Sequence, residues 1–205
     1  MKKGFPIISL SDISHVGTMD KSKKEKGSYE GSGLSVSTEP KAWVRINPFT
    51  GGTTFRLTKK DNKFLSYHDL TVDQKEEIKV WGAIEGYITL CPIYTFSYED
   101  DEFEVDMCMY FTDREEAVVE ADGYGIEESE VEELQGFTSN PMMDERVMSH
   151  GRTTMDMQLL STLYAEDVLQ VDGVWWEDIL DVSRYSAPRG VIFEEKLKEW
   201  TIKKV

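Results

Sequence analysis

The chain has 205 residues, 40% hydrophobic and 11% aromatic with five Trp, which supplies a real core and excludes disorder along its whole length. Its formal charge of −16, from 39 acidic against 23 basic residues, repels phosphate backbones and disfavours direct nucleic-acid binding. The two cysteines, Cys91 and Cys108, sit in apolar runs without CxxC spacing or a Cys/His cluster, so they read as reduced core thiols and no metal is expected.

The first residues, MKKGFPIISL, hold too short an apolar run for a secretory segment, and no window reaches the roughly 18 apolar residues of a membrane span. A cytoplasmic protein with no membrane partner is the expectation. Pro6–Leu10 reads as a short edge strand ended by Ser11-Asp12. The charge run Lys21–Lys26 reads as a mobile, solvated flap, and with the lysines near the C-terminus it leaves a small basic surface. Leu34 and Val36 alternate with serines, as a strand does, and Thr38 then caps a short helix opening near Pro40. After Gly51-Gly52, Phe55 and Leu57 mark a half-buried strand that turns at Asp61-Asn62 into Phe64-Leu65.

Thr71 with Gln74 three residues on is a capping box, opening a helix that should bury Ile78, Trp81 and Ile84 and stop near Gly86. Tyr87–Phe96 and Phe103–Phe111 read as a hairpin around the acidic turn 99–102, with Val105, Met107 and Met109 on one face of the second strand. Short exposed helices are expected over about 112–136, where nine acidic groups fall between Glu115 and Glu133. A further helical segment covers about 140–170, with Asn140 as one N-cap and Thr153 opening its second part. Val174–Trp176 follow the turn Asp172-Gly173, Ile179-Leu180 form a short helix, and Val191–Phe193 a strand before an amphipathic turn through Leu197 and Trp200. These elements predict one α+β domain over 1–205, a central mostly antiparallel sheet flanked by helices.

Two segments carry candidate chemistry: His15-Val16-Gly17-Thr18, and Gly31 to Ser37 with Gly33 and Ser35. Together they resemble the ADP-ribosyltransferase-like fold, in which a His-x-Gly-Thr segment lies on an early strand and a Gly-x-Gly segment leads to a short helix. The resemblance implies NAD as cofactor, held by His15, Gly17, Thr18, Gly33 and Ser35, and an NAD-utilising transferase that is either active or catalytically degenerate. It also implies a catalytic set of His15 with a late glutamate that stabilises the oxocarbenium-like charge, for which Glu194 or Glu195 serve, with Glu102 and Glu104 as alternatives. Ser35 stands where the family has a stacking Tyr, a place that Tyr29 or Tyr67 could fill. Read from its residues alone, His15 is equally a core or turn-capping histidine whose ring meets backbone groups.

Arg189, fixed between Pro188 and Gly190, suits a bidentate contact with a phosphate or carboxylate and, in one cleft with His15, would bind the pyrophosphate of NAD; the alternative is pairing with a nearby acid such as Glu177, Asp178 or Asp181. His68 and His150 read as solvated. The acidic stretch from Glu99 to Glu133 supports a different class of function, an acidic interaction or inhibitor protein of phage, mobile-element or toxin–antitoxin type that binds a protein partner through this face. The plainer reading of that stretch is a solvated surface.

Overall fold

The computed structural model describes residues 4–19, 33–46, 53–100, 105–140 and 155–205. In chain order the strands and helices are β1 (Ile7–Ile8), β2 (Ile13–Val16), β3 (Leu34–Val36), α1 (Pro40–Ile46), β4 (Thr54–Thr58), β5 (Phe64–Ser66) and α2 (Val72–Ile84). There follow β6 (Ile88–Asp100), β7 (Val105–Phe111), α3 (Arg114–Gly123), β8 (Glu132–Ser139) and α4 (Met157–Tyr164) with a π turn at Ala165–Leu169. The chain closes with β9 (Gly173–Trp176), β10 (Arg189–Ile192), a 3₁₀ turn at Glu194–Glu199 and β11 (Thr201–Lys204).

Five strands form a sheet in the order β1-β5-β9-β10-β3, antiparallel throughout except for the parallel pair β5–β9. Three more pair as β11-β4-β2, all antiparallel. One antiparallel bridge joins the two sheets: Ser14 and Ser37 exchange N–H to carbonyl bonds of 2.9 and 2.8 Å. Side chains alternate sides along each strand, so these short apolar runs feed two cores at once. Ile13, Leu34, Leu57, Phe64, Trp175 and Ile192 gather in an inner cluster, with Ile8 and Ile202 packed against it, so all eight strands contribute. Leu65, Val174, Trp176, Val191 and Phe193 point the other way, into an outer cluster under α2 and α4. Each large side chain buried in this way contributes about 1.5–3 kcal/mol.

The helices form where their caps dictate. Thr71 accepts from the Gln74 N–H while the Gln74 side chain accepts from the Thr71 N–H, the reciprocal pair expected from the sequence. Asp156 opens α4 by accepting from the Leu159 N–H at 2.8 Å. All of Leu159–Tyr164 is buried, including Ser161 and Thr162, because their hydroxyls donate back to the carbonyls of Met157 and Gln158.

The third sheet, β7-β6-β8, projects from this body on the long strand β6. β6 pairs with β8 over Ile88–Thr95 and with β7 over Tyr94–Asp100. Ile88, at its root, belongs to the outer cluster, while Phe96 stacks on Phe111 and meets Tyr98 and Tyr124 further out. α3 covers that end by burying Ala117 and Ala121.

Several expectations need correction. Of the stretch 112–136, α3 and a 3₁₀ turn at Glu128–Glu130 are helical, but Glu132–Ser139 is a strand, because β6 offers eight register partners to an edge whose acids still reach water. Ile84 is exposed rather than buried: six residues past Ile78 it lies roughly 240° around the helix axis. Cys108 is exposed and Cys91 half-buried, so neither is a core thiol. Ile179 and Leu180 are exposed outside any helix, and Trp200 leads into β11, a strand the sequence pattern does not show. The flap at Lys21–Lys26 and the helix expected from Asn140 lie outside the described residues, as does Thr153, but the helix it was to open begins only at Met157, with Asp156 as N-cap in place of Thr153.

Candidate functional site

His15 sits on β2 opposite Phe55 of β4, 8% exposed, and its ring stacks on the Phe55 ring at 6.2 Å. Its Nδ1 lies 2.8 Å from the Ser35 carbonyl and its Nε2 3.2 Å from the Thr18 carbonyl. A neutral imidazole has one N–H and therefore donates to one of these two acceptors. Both ring nitrogens face backbone, in the manner of a histidine that ties a turn. Gly17 closes that turn at φ +136°, in the region L side chains rarely enter. Gly33 is held by close approach: a Cβ there would stand 2.2 Å from Val191 Cγ2 and 2.5 Å from the Ile192 carbonyl oxygen. Ser35 is exposed on β3, opposite Val191 of β10.

Strand order thus brings His15, Thr18 and Gly33 together with the backbone of Ser35, whose side chain, between the inner-cluster residues Leu34 and Val36, turns to the outer face away from His15. With Ser14 opposite Ser37 and Leu34 opposite Ile192, the antiparallel registers set Thr18, Gly33 and the residues after Ile192 at one end of the sheet. Glu194 and Glu195 open the 3₁₀ turn there and are both exposed. Glu102, Glu104 and Tyr29 lie outside the described residues.

Arg189 belongs elsewhere. At the opposite end of β10, and by alternation on the outer face, its guanidinium lies over the Trp176 ring at 4.7 Å. Its Nε donates to Asp178 at 2.8 Å and its Nη2 to Gln158 of α4 at 3.4 Å. His15, in line with Ile13 and Leu57, is on the inner face. His68 joins the Arg189 group from beyond β5, with Nε2 3.7 Å from Asp178. Burial, reinforced by the Asp156 carboxylate, pushes the neighbouring Tyr67 phenol above its ordinary range. The pairing of Arg189 with Asp178 is one that the sequence offered, whereas the approach of Tyr67 and His68 was hidden, because it depends on the parallel pairing of β5 with β9, strands far apart in the chain.

An open hollow of about 550 Å³ lies between the β1–β2 connection and the β4–β5 turn, lined by Leu10, Asp12, Lys59, Asn62, Glu199 and Thr201 among others. None of the residues expected at a nucleotide site lines it. Its walls are tied internally. Lys59 reaches Asp172 and Glu199, both at 2.5 Å, and Asn62 bonds the Leu10 N–H and carbonyl at 2.8 and 2.9 Å. Burial alone would lower the Lys59 pKa, but its bonds to the two carboxylates outweigh that and raise it, while the bond from Lys59 lowers Glu199.

The remaining feature is electrostatic. Between Tyr87 and Asn140 the chain holds 16 acidic residues and one basic residue, Arg114, so this stretch, from which the third sheet and α3 are built, carries −15 of the formal charge of −16. Every carboxylate side chain described there is exposed, from Glu99 through Glu115, Glu116 and Glu120 to Glu132 and Glu133. Arg114 pairs with Glu128 at 2.7 Å. Among this surface Tyr110 is 66% exposed, Val119 71% and Leu134 46%. This segregation was countable in the sequence.

Among the described residues no group of three His, Cys, Asp or Glu is placed to hold a metal ion, and no helix is long and apolar enough to cross a membrane. Compared with family models, curated proteins and solved structures, the chain matches none.

Proposed function

We propose that the protein is an interaction module that docks onto a basic protein surface through the acidic third sheet and α3. The observation that carries this reading is the confinement of nearly all the net charge to residues 87–140, with exposed apolar side chains among the carboxylates. A field so concentrated steers encounter with a basic partner, repels nucleic acid, and leaves the remainder of the chain near neutrality. The partner is recovered from a lysate of the source cells on the immobilised full chain at low salt. The reading requires release by about 0.5 M salt, where screening shortens to a few ångströms, and loss of capture by the variant Glu115→Gln, Glu116→Gln, Glu120→Gln, Glu132→Gln, Glu133→Gln. Capture that the quintuple variant retains refutes it.

A second reading is favoured by the strand order, which sets Thr18, Gly33 and Glu194 at one end of the sheet. It keeps the ADP-ribosyltransferase-like resemblance, with an NAD-derived ligand at that end and Glu194 or Glu195 as the charge-stabilising group. Arg189 has no part in it, since its guanidinium is engaged on the outer face. NAD or ADP-ribose at millimolar concentration should then raise the melting temperature, as any ligand specific to the folded state must, and Glu194→Gln should shrink the shift. An unchanged melting temperature with both nucleotides removes this reading and leaves the first untouched.

A further inference from the structure

Resting on the interaction-module reading, we infer that the partner contributes an extended basic segment that adds as a fourth strand to the free edge of β7. β7 is the terminal strand of the order β7-β6-β8, and among the described residues no strand pairs with its outer side. Edge strands that stand free are normally blunted by Lys, Pro or a bulge. Val105–Phe111 has neither Lys nor Pro, its one charged residue is the acid Asp106, and it keeps an unbroken ladder to Tyr94–Asp100. Its side chains are partly open to water, Met107 at 41% and Tyr110 at 66%.

The other edges of this sheet are less available. Lys79 donates to the Gln135 carbonyl of β8 at 3.0 Å, the Ser139 hydroxyl accepts the Met155 N–H at 2.7 Å, and Asn140 donates to the Gly86 carbonyl at 3.0 Å. The half of β6 that extends past β7 contains Pro92, which has no N–H to offer.

Charge selects the occupant. A second copy of this chain would bring two such acidic sheets edge to edge, and like charges face to face are repelled. A segment alternating Lys or Arg with β-branched residues gains backbone hydrogen bonds from β7 and complementary charge from the excess of carboxylates in residues 87–140.

The probe is a blocked seven-residue peptide of alternating lysine and valine, titrated against the full chain by calorimetry at low salt and followed by amide hydrogen exchange. Binding with new protection of amides within Val105–Phe111 is expected. A peptide of the same charge with alternate amides N-methylated should bind at least about tenfold more weakly, because the added hydrogen bonds are lost. Equal binding of the two peptides, or protection at β8 instead of β7, overturns strand addition while leaving charge-driven docking intact. Absence of binding by either peptide overturns strand addition too, and the lysate experiment then judges the broader reading by itself. Protection of β7 that rises with concentration of the chain alone assigns the edge to a second copy and overturns the inference.

Discussion

Replacing Asp172 with Ala should destabilise the fold through a single ion pair. Asp172 is 5% exposed; its Oδ1 accepts from Lys59 Nζ at 2.5 Å and its Oδ2 from the Lys63 N–H at 2.8 Å. The Lys63 N–H would lose a charged acceptor, which costs about 1.5–3 kcal/mol. Stripping one partner from a buried pair costs about 3–5 kcal/mol, but Lys59 keeps Glu199, whose side chain is 42% exposed, so only part of that applies. The two contributions together come to about 4 kcal/mol, and at about 2–4 °C per kcal/mol for a chain of this size the melting temperature should fall by about 8–16 °C. Thermal and urea unfolding, followed by circular dichroism and Trp fluorescence, measure it. The cycle with Lys59→Met completes the test: the double variant Lys59→Met, Asp172→Ala should lose about 2 kcal/mol less than the sum of the single ones, since the ion pair they share is lost only once. A loss under about 1 kcal/mol for Asp172→Ala, or strict additivity, would refute the reasoning.

Alkaline conditions should erode stability. Lys59 and Tyr67 both stand above their ordinary values of 10.5 and 10.0, so the stability they contribute is complete below about pH 10 and lost as the pH rises past it. Tyr67→Phe should flatten part of that limb in an unfolding series from pH 8 to 11. On the acid side, Glu199 is held down by the Lys59 bond and Asp181 by the Ser183 hydroxyl, so their contribution is complete above about pH 4.5 and lost as the pH falls; Asp181→Asn should blunt the decline. Gly33→Ala should cost about 1–3 kcal/mol in urea unfolding, since its methyl group meets the β10 backbone. Cys108 should react with a thiol reagent in the folded chain faster than Cys91, read by the rate of colour release.

What the sequence disclosed was local. The Thr71–Gln74 box, the hairpin of β6 and β7 and the alternation at Leu34–Val36 depend on neighbours within a few residues and each is present, though β6 runs on to Asp100 and β7 begins at Val105, so that Glu99 and Asp100 are strand where a turn was expected. Contacts between distant segments were not visible. Nothing in Phe64–Ser66 or Gly173–Trp176 announces a parallel pairing, and a lysine at 59 carries no sign of a carboxylate at 172. The same limit governed the candidate site: His15 and Ser35 are brought together by the bridge at Ser14–Ser37, while Arg189 is drawn to the outer face by Asp178 and Trp176. The strand at Glu132–Ser139 was hidden because its acids mimic an exposed helix unless the open side of β6 is already known.

β6 spans 13 residues, which at about 3.3 Å per residue makes a beam roughly 43 Å long, held to the body from Ile88 as far as Pro92, whose partner Gln135 is bonded by Lys79, and extending beyond it toward Asp100. A cantilever converts rotation at its root into travel at its tip: over the roughly 26 Å past Pro92, a tilt of about 5° displaces the far end by about 2 Å. Repacking a single side chain around Ile88 could therefore re-aim the charged hairpin without altering any residue that a partner touches.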